Sequence, residues 1–226
     1  MSSNTKPTSA DSQHLTPLVL ASASPSRRGL LEQARLVFSV QVSAVDEDAV
    51  TASLGSVSSP ELALALARAK CEDVAGHVTR GLVLGCDSVF EFDGQSLGKP
   101  QDAADALERW RRMRGRDGRL HTGHWLIDVE TGQATGLAVS TIVKFSDVAD
   151  DEIRDYVVTG EPLQVAGAFT LEGRAGLFID GIDGDPSNVI GLSLPGLRRM
   201  LEELGHSVLE LTERPGGHND FGGTIT

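Results

Sequence analysis

A chain of 226 residues, 40% hydrophobic and 23% charged, can bury roughly 70% of its unfolded surface in one domain or in two lobes sharing a core. Its formal net charge of -12 excludes a diffuse positive field, so stable binding to a nucleic acid polymer or an anionic membrane is disfavoured, although a local cluster can still grip a small anion. No run approaches the ~18 apolar residues that cross a bilayer, and Met1 to Thr16 lacks the apolar core of a signal peptide, so a cytoplasmic location is expected.

The polar segment 1–17 and the Gly- and Pro-rich segment 212–226 read as disordered tails around a single domain over 18–211. Leu18 to Ala21 reads as a short buried strand. Ser24 and Pro25 then give an N-cap followed by proline at the first helical position, opening a helix to about Ala34. Phe38 to Val42 alternates like a strand, and Ser59 and Pro60 repeat the N-cap signal ahead of a helix carrying Lys70 near its middle. Gly81 to Cys86 has strand length and leaves Asp87 at the strand end, while Asp93-Gly94 marks a hairpin turn. Asp102 caps a helix through Met113, Leu120 to Val129 and Ala138 to Phe145 read as long strands, and Asp150 to Val158 and Leu194 to Leu204 as helices. Strands and helices alternate without the rhythm of a doubly wound fold, so a mixed α/β sheet is expected.

Four places could carry chemistry. Where strand turns into helix, Ser22-Ala23-Ser24-Pro25-Ser26-Arg27-Arg28 brings free backbone N–H groups, hydroxyls and guanidiniums to one point, which suits a phosphate; it also fits an ordinary capped helix with solvated arginines. Val45-Asp46-Glu47-Asp48 supplies hard oxygen ligands of the kind magnesium or manganese requires, or a solvated acidic loop. Asp87, in Gly85-Cys86-Asp87-Ser88, ends an apolar strand in a carboxylate, as a catalytic acid or as a turn cap. Lys70 and Lys99 are isolated cations flanked by small or turn residues. His121 and His124 are spaced to face opposite ways on a strand, which argues for structural roles rather than a zinc pair. Cys71 and Cys86 lack C-x-x-C spacing and fit buried thiols in a reducing compartment.

The order of S-A-S-P-S-R-R, V-D-E, L-A-R-A-K, G-C-D-S-V, L-G-K-P and H-T-G, followed by A-G-A-F, E-G and N-V-I-G-L, resembles the motifs of the Maf family over Leu18 to about Leu204. The resemblance implies an elongated mixed α/β fold akin to the inosine triphosphate pyrophosphatases, with two lobes around a central cleft, and frequent homodimers. It also implies a cytoplasmic, divalent-metal-dependent enzyme that hydrolyses nucleoside triphosphates to monophosphates and pyrophosphate. On these positions Asp87 would be the proton acceptor and Glu47 a metal ligand with it. Arg27, Lys70 and Lys99 would clamp the triphosphate, with Arg28 beside them, and Ser22 and Ser24 would bond phosphate oxygens. The family is also associated with arrest of septum formation, which leaves a nucleotide-sensing regulator as the alternative.

The pyrimidine-selective branch of the family carries S-P-R-R, G-A-D-T, D-K-A-G-A-Y and I-Q-G. Here Ser26, Ser88, Gln164-Val165, Phe169 and Glu172 stand at the divergent positions, so the base-selecting contacts differ. A second branch, associated with 7-methylguanosine triphosphate, is similar at S-P-x-R-R, A-G-x-F and E-G. An ionised Glu172 accepts hydrogen bonds only, which suits the N–H donors of guanine or the amino group of cytosine better than the O4 of thymine.

Overall fold

The computed structural model describes residues 16–212. Seven strands, β1 (Leu18–Leu20), β2 (Phe38–Val40), β3 (Leu82–Phe92), β4 (Gln95–Leu97), β5 (Asp117–Asp128), β6 (Ala134–Phe145) and β7 (Ile179–Asp183), form one mixed sheet. Their order is β2-β1-β3-β5-β6-β7, with β4 paired to β3 as a hairpin. β2, β1 and β3 run parallel; every other pairing is antiparallel. The helices are α1 (Pro25–Gln33), α2 (Glu47–Leu54), α3 (Ser59–Ala75), α4 (Ala103–Met113), α5 (Asp150–Val158), α6 (Pro186–Ile190) and α7 (Leu194–Glu203).

The long strands β3, β5 and β6 pass through two apolar cores. Leu82, Leu84 and Cys86 of β3 pack with Leu30 and Leu31 of α1 and Leu197, Met200 and Leu201 of α7. Four residues further along the same face, Phe90 and Phe92 enter a second core with Trp110, Phe145, Tyr156 and Phe169, whose rings meet edge to face. Between the cores that face is polar at Ser88, Thr122 and Asn188, so the two lobes are joined at a hydrogen-bonded waist. On the other face Val83 and Gly85 lie under α3.

Several expectations shift. Asp87 is not at a strand end: β3 continues five residues past it, because β5 pairs with β3 from Leu82 to Glu91 and supplies the partner that the local pattern could not reveal. Asp46 caps a helix, α2, where an acidic loop was expected, accepting the Ala49 N–H at 3.0 Å. The cap of α3 is Ser58 rather than Ser59, with Glu61 closing a capping box, and Lys70 sits in the last third of the helix. The Asp93-Gly94 hairpin is present, both residues having positive φ (52° and 73°) as a type I′ turn demands. The expected tails lie outside the described residues except at their inner ends, where the tail boundaries need correction. Pro17 O accepts from Leu82 N at 2.8 Å, Thr16 N donates to Glu210 O, and Thr212 pairs with Leu36. No helix among the described residues is long and apolar enough to cross a membrane.

Candidate active site

The site grows from the point where β1 leaves β3. The last rung is Ala21 N to Leu84 O at 2.8 Å, after which the chain turns into α1 and the next carbonyl on that edge, Cys86 O, has no strand to pair with. Arg27, from the first turn of α1, takes the place of the missing strand. Its Nη1 donates to Cys86 O (2.8 Å) and to Ser22 Oγ (3.0 Å), its Nε to Gly191 O (2.8 Å), and its Nη2 to Ser88 Oγ (3.1 Å). Four of the five guanidinium N–H bonds are thereby used and one on Nη2 is left. All four partners are neutral, and Arg27 is only 9% exposed and has no carboxylate partner among the described residues. Gly191 presents its carbonyl in a conformation, φ +126°, that a side chain rarely adopts, and a Cβ there would lie 3.3 Å from Arg27 Nε, a tight contact.

On the opposite face of β3, Asp87 Oδ1 lies 2.5 Å from Lys70 Nζ, and the same ammonium lies 2.8 Å from Glu47 Oε1. Lys70 and Asp87 are buried, while Glu47, at the first position of α2, has a half-exposed side chain. The loop before α2 is tied to α3 by Ala44 N donating to Asp73 at 2.8 Å, which holds Glu47 over Lys70. Two carboxylates and two cations thus flank the Cys86–Ser88 stretch, and the charges of Arg27, Asp87 and Lys70 all bear on Cys86. Burial nonetheless dominates there and pushes the Cys86 thiol up to about 12, as it does Cys71; both are free, inert structural thiols.

The other expected residues divide. Ser22 is buried against Arg27 and also accepts from Ser24 N at 3.2 Å, and Ser24 caps α1 by accepting the Arg27 N–H. Ser26 is half-buried in the first turn. Arg28 is not brought to the cluster: it is exposed and pairs with Glu32 one turn along α1. Lys99 is exposed on the loop after β4 and makes no hydrogen bond or ion pair among the described residues. Its neighbour Gly98 is anchored by Arg109 Nη1 (2.7 Å) and Gly167 N (3.2 Å) donating to its carbonyl. Ser88 Oγ is committed to Arg27 and to Thr122 Oγ1 at 3.0 Å, and Glu172 is exposed in a turn.

Three further residues support the site through contacts that local sequence does not reveal. Thr122 donates to Asn188 O (3.0 Å), and Asn188 Nδ2 donates to Leu120 O and Thr141 Oγ1, which fixes α6 against β5 and β6. His124 accepts the Ser193 N–H at Nε2 (2.8 Å), with Nδ1 turned to Leu137 O, so the ring holds the segment that ends in the Arg27-binding carbonyl of Gly191. Burial lowers its pKa to about 4, keeping it neutral. Asp185 caps α6 through Ser187, a turn-shaping role. The two histidines are structural, as their spacing implied: His121 Nδ1 pairs with Ser140 Oγ at 2.7 Å.

Glu47 and Asp87 fit a hard divalent cation. Their oxygens converge on one point, now bridged by Lys70, and no group of three or more His, Cys, Asp or Glu suited to metal occurs among the described residues. Two carboxylates leave most of the coordination sphere to water and phosphate oxygens, as magnesium prefers.

A mixed α/β sheet that opens where a parallel strand stops, and sets a buried guanidinium, a lysine and two carboxylates there, defines a protein that holds a small anionic ligand. Residues 17–204 match the family described as Maf-like protein, and the chain belongs to that family. It is 58% identical over 196 residues to a nucleoside triphosphate pyrophosphatase of Streptomyces coelicolor, covering 86% of this chain and 93% of the relative. It is 53% identical to one of Salinispora tropica, covering 87% and 88%. Partial likenesses extend to the Ham1 protein of Staphylococcus aureus (TM-score 0.39, 13% identity, 58% of this chain and 72% of that one). A dITP/XTP pyrophosphatase of Mycobacterium abscessus is similar to the same degree (TM-score 0.37, 14% identity, 58% and 75%).

Proposed function

We propose that this chain hydrolyses nucleoside triphosphates to monophosphates and pyrophosphate, with Asp87 accepting the proton of the attacking water. The observation that carries the reading is Arg27, a buried cation bound only to neutral acceptors, beside the stretch of β3 that presents the buried carboxylate of Asp87. An uncompensated buried charge is costly, and a polyphosphate is the partner that would offset it. Lys70 is positioned to transfer from Glu47 and Asp87 to a phosphate oxygen, and Lys99 is free to reach one from its anchored loop. Glu47 and Asp87 would hold a magnesium or manganese ion, which when bound withdraws charge from the phosphates and lowers the pKa of water. Arg27, Lys70 and Lys99 would then neutralise the charge that gathers on the departing pyrophosphate.

Glu172, which is exposed, and the half-buried Ser26 and Ser88 would set the base preference, Ser88 through its bond to Arg27, and guanine or cytosine is preferred over thymine. The two free buried thiols suit the reducing cytoplasm, and exposed Val158, Leu177 and Leu209 offer apolar surface to a homodimer. Phosphorus NMR of the products decides the reaction: nucleoside monophosphate and pyrophosphate are expected, whereas diphosphate and orthophosphate, or binding without turnover, refute it. In the same assay GTP and CTP should turn over faster than dTTP, and Glu172→Gln should narrow the difference; equal rates in the wild type would remove the role of Glu172.

A further inference from the structure

We propose that Gly85 and Gly123 are positioning residues that set the height of α3 above the sheet and thereby place Lys70 against Asp87. The inference rests on the assignment of Lys70 and Asp87 to the reacting centre.

Both glycines lie on the α3 face of the sheet, immediately around Asp87. Gly85 is two residues before it on β3, so their side-chain positions share a face, and Gly123 is its cross-strand partner on β5. Neither glycine has positive φ, so the backbone conformation does not require glycine at either position. Space does. A Cβ on Gly85 would lie 2.2 Å from Ala67 O and 2.7 Å from Cys71 Cβ, and one on Gly123 would lie 2.2 Å from Ala63 O and 2.4 Å from Leu64 N. These contacts are with helix backbone and with the Cys71 Cβ fixed directly to it, none of which can swing aside as the end of a side chain would. The helix side is matched to them: Ala63 and Ala67 are fully buried and one turn apart, and Lys70 follows Ala67 by three residues on the same face. Two sheet positions without side chains therefore meet two helix positions with the smallest ones, and the result is a helix backbone resting directly on the strands. That close seat lets the Lys70 side chain reach Asp87 at 2.5 Å and Glu47 at 2.8 Å while itself buried.

An added methyl at either glycine forces α3 outward by about 1 Å to recover ordinary contact distances. A displacement of that size in a positioning group costs up to about 100-fold in rate. Neither substitution removes a group that touches substrate, so nucleotide binding through Arg27 and its partners should be little changed.

The test is a double-mutant cycle on kcat with the full-length enzyme, combining Gly123→Ala or Gly85→Ala with Lys70→Ala. Gly118→Ala is the control: its Cβ would meet the end of the Phe90 ring at 2.2 Å, an equally short approach, but in the aromatic core and away from α3. Expected are a 10- to 100-fold loss of kcat for Gly123→Ala with KM changed less than about threefold, and no further loss from it in the Lys70→Ala background. Gly118→Ala should lower the melting temperature while leaving kcat of the folded fraction near wild type. If the glycine variants do not fold, Ala67→Ser adds one atom to the helix side of the same contact, and the same absence of further loss in Lys70→Ala is expected. Full multiplication of the two losses overturns the inference, as does a kcat loss in Gly118→Ala matching that in Gly123→Ala. If Lys70→Ala itself retains wild-type activity, the assignment of the site falls and takes the inference with it; a crippled Lys70→Ala with multiplicative glycine effects removes the inference alone.

Discussion

Arg27 performs two tasks that mutagenesis must separate. Its four donated bonds splice β3 to the Ser22 turn and to Gly191, so its removal disturbs the fold as well as any anion it holds. A lysine keeps the charge but cannot reproduce the planar fork. Arg27→Lys should therefore lower unfolding stability by about 2–4 kcal/mol in a urea titration, and an unchanged midpoint would show that the splice is not needed. His124 makes a prediction of opposite electrostatic kind. Its pKa near 4 lies below the ordinary histidine value of about 6.5, so the neutral ring stabilises the fold fully above about pH 6.5, and that contribution is lost as pH falls toward 4. The gap corresponds to about 3 kcal/mol. The stability advantage of wild type over His124→Gln should shrink by about that amount between about pH 7 and pH 4, whereas a constant difference would mean that the ring does not resist protonation. At this scale the sequence singled out Asp87, Lys70 and Glu47 by residue type and local pattern, but gave them joint roles only through motif order, because their meeting depends on two helices and a strand separated in the chain. It marked His124 as structural but not what the ring holds, because its partners Leu137 and Ser193 are brought to it by tertiary packing.

Elements with strong local chemistry were legible: the Pro25 and Pro60 helix starts, the Asp93-Gly94 turn, the Asp102 cap and helix α5 all follow from side chains within a few residues. Those that depend on distant partners were not. β3 and β5 extend past their apolar runs because each supplies the other's backbone bonds, and α2 buries none of its residues, so it carries no apolar stripe to read. The end of the described chain is held by another long-range contact. His206, just beyond α7, lies between Glu210 (3.0 Å) and Asp128 at the end of β5 (3.4 Å), while Thr16 hydroxyl also donates to Glu210. Burial works against the charged ring, but the two carboxylates outweigh it and raise its pKa. A raised value means that the clasp stabilises fully below about pH 6.5 and fades as pH rises through the folded-state value. The melting-temperature gap between wild type and His206→Gln should be widest near pH 6 and close by about pH 9; a gap that grows with pH would assign the wrong sign to the clasp.

For the molecule as a whole, the two cores fix the ends of β3 and leave its middle for polar work. Ser88 faces the waist that carries Arg27, and its neighbour Asp87 faces α3, so one dipeptide presents a hydroxyl and a carboxylate on opposite sides of the strand where β1 has left the edge open. The net charge of -12 makes this local arrangement necessary, since the overall field repels a polyphosphate and binding must come from short-range contacts with Arg27, Lys70 and Lys99. The most direct measurement is pyrophosphate release from nucleoside triphosphates with magnesium or manganese, wild type against Asp87→Asn, with nucleotide affinity measured in parallel. Asp87→Asn should lose on the order of 10²- to 10⁴-fold in kcat while still binding nucleotide. A variant that turns over at the wild-type rate would contradict the assignment of Asp87 as the proton acceptor.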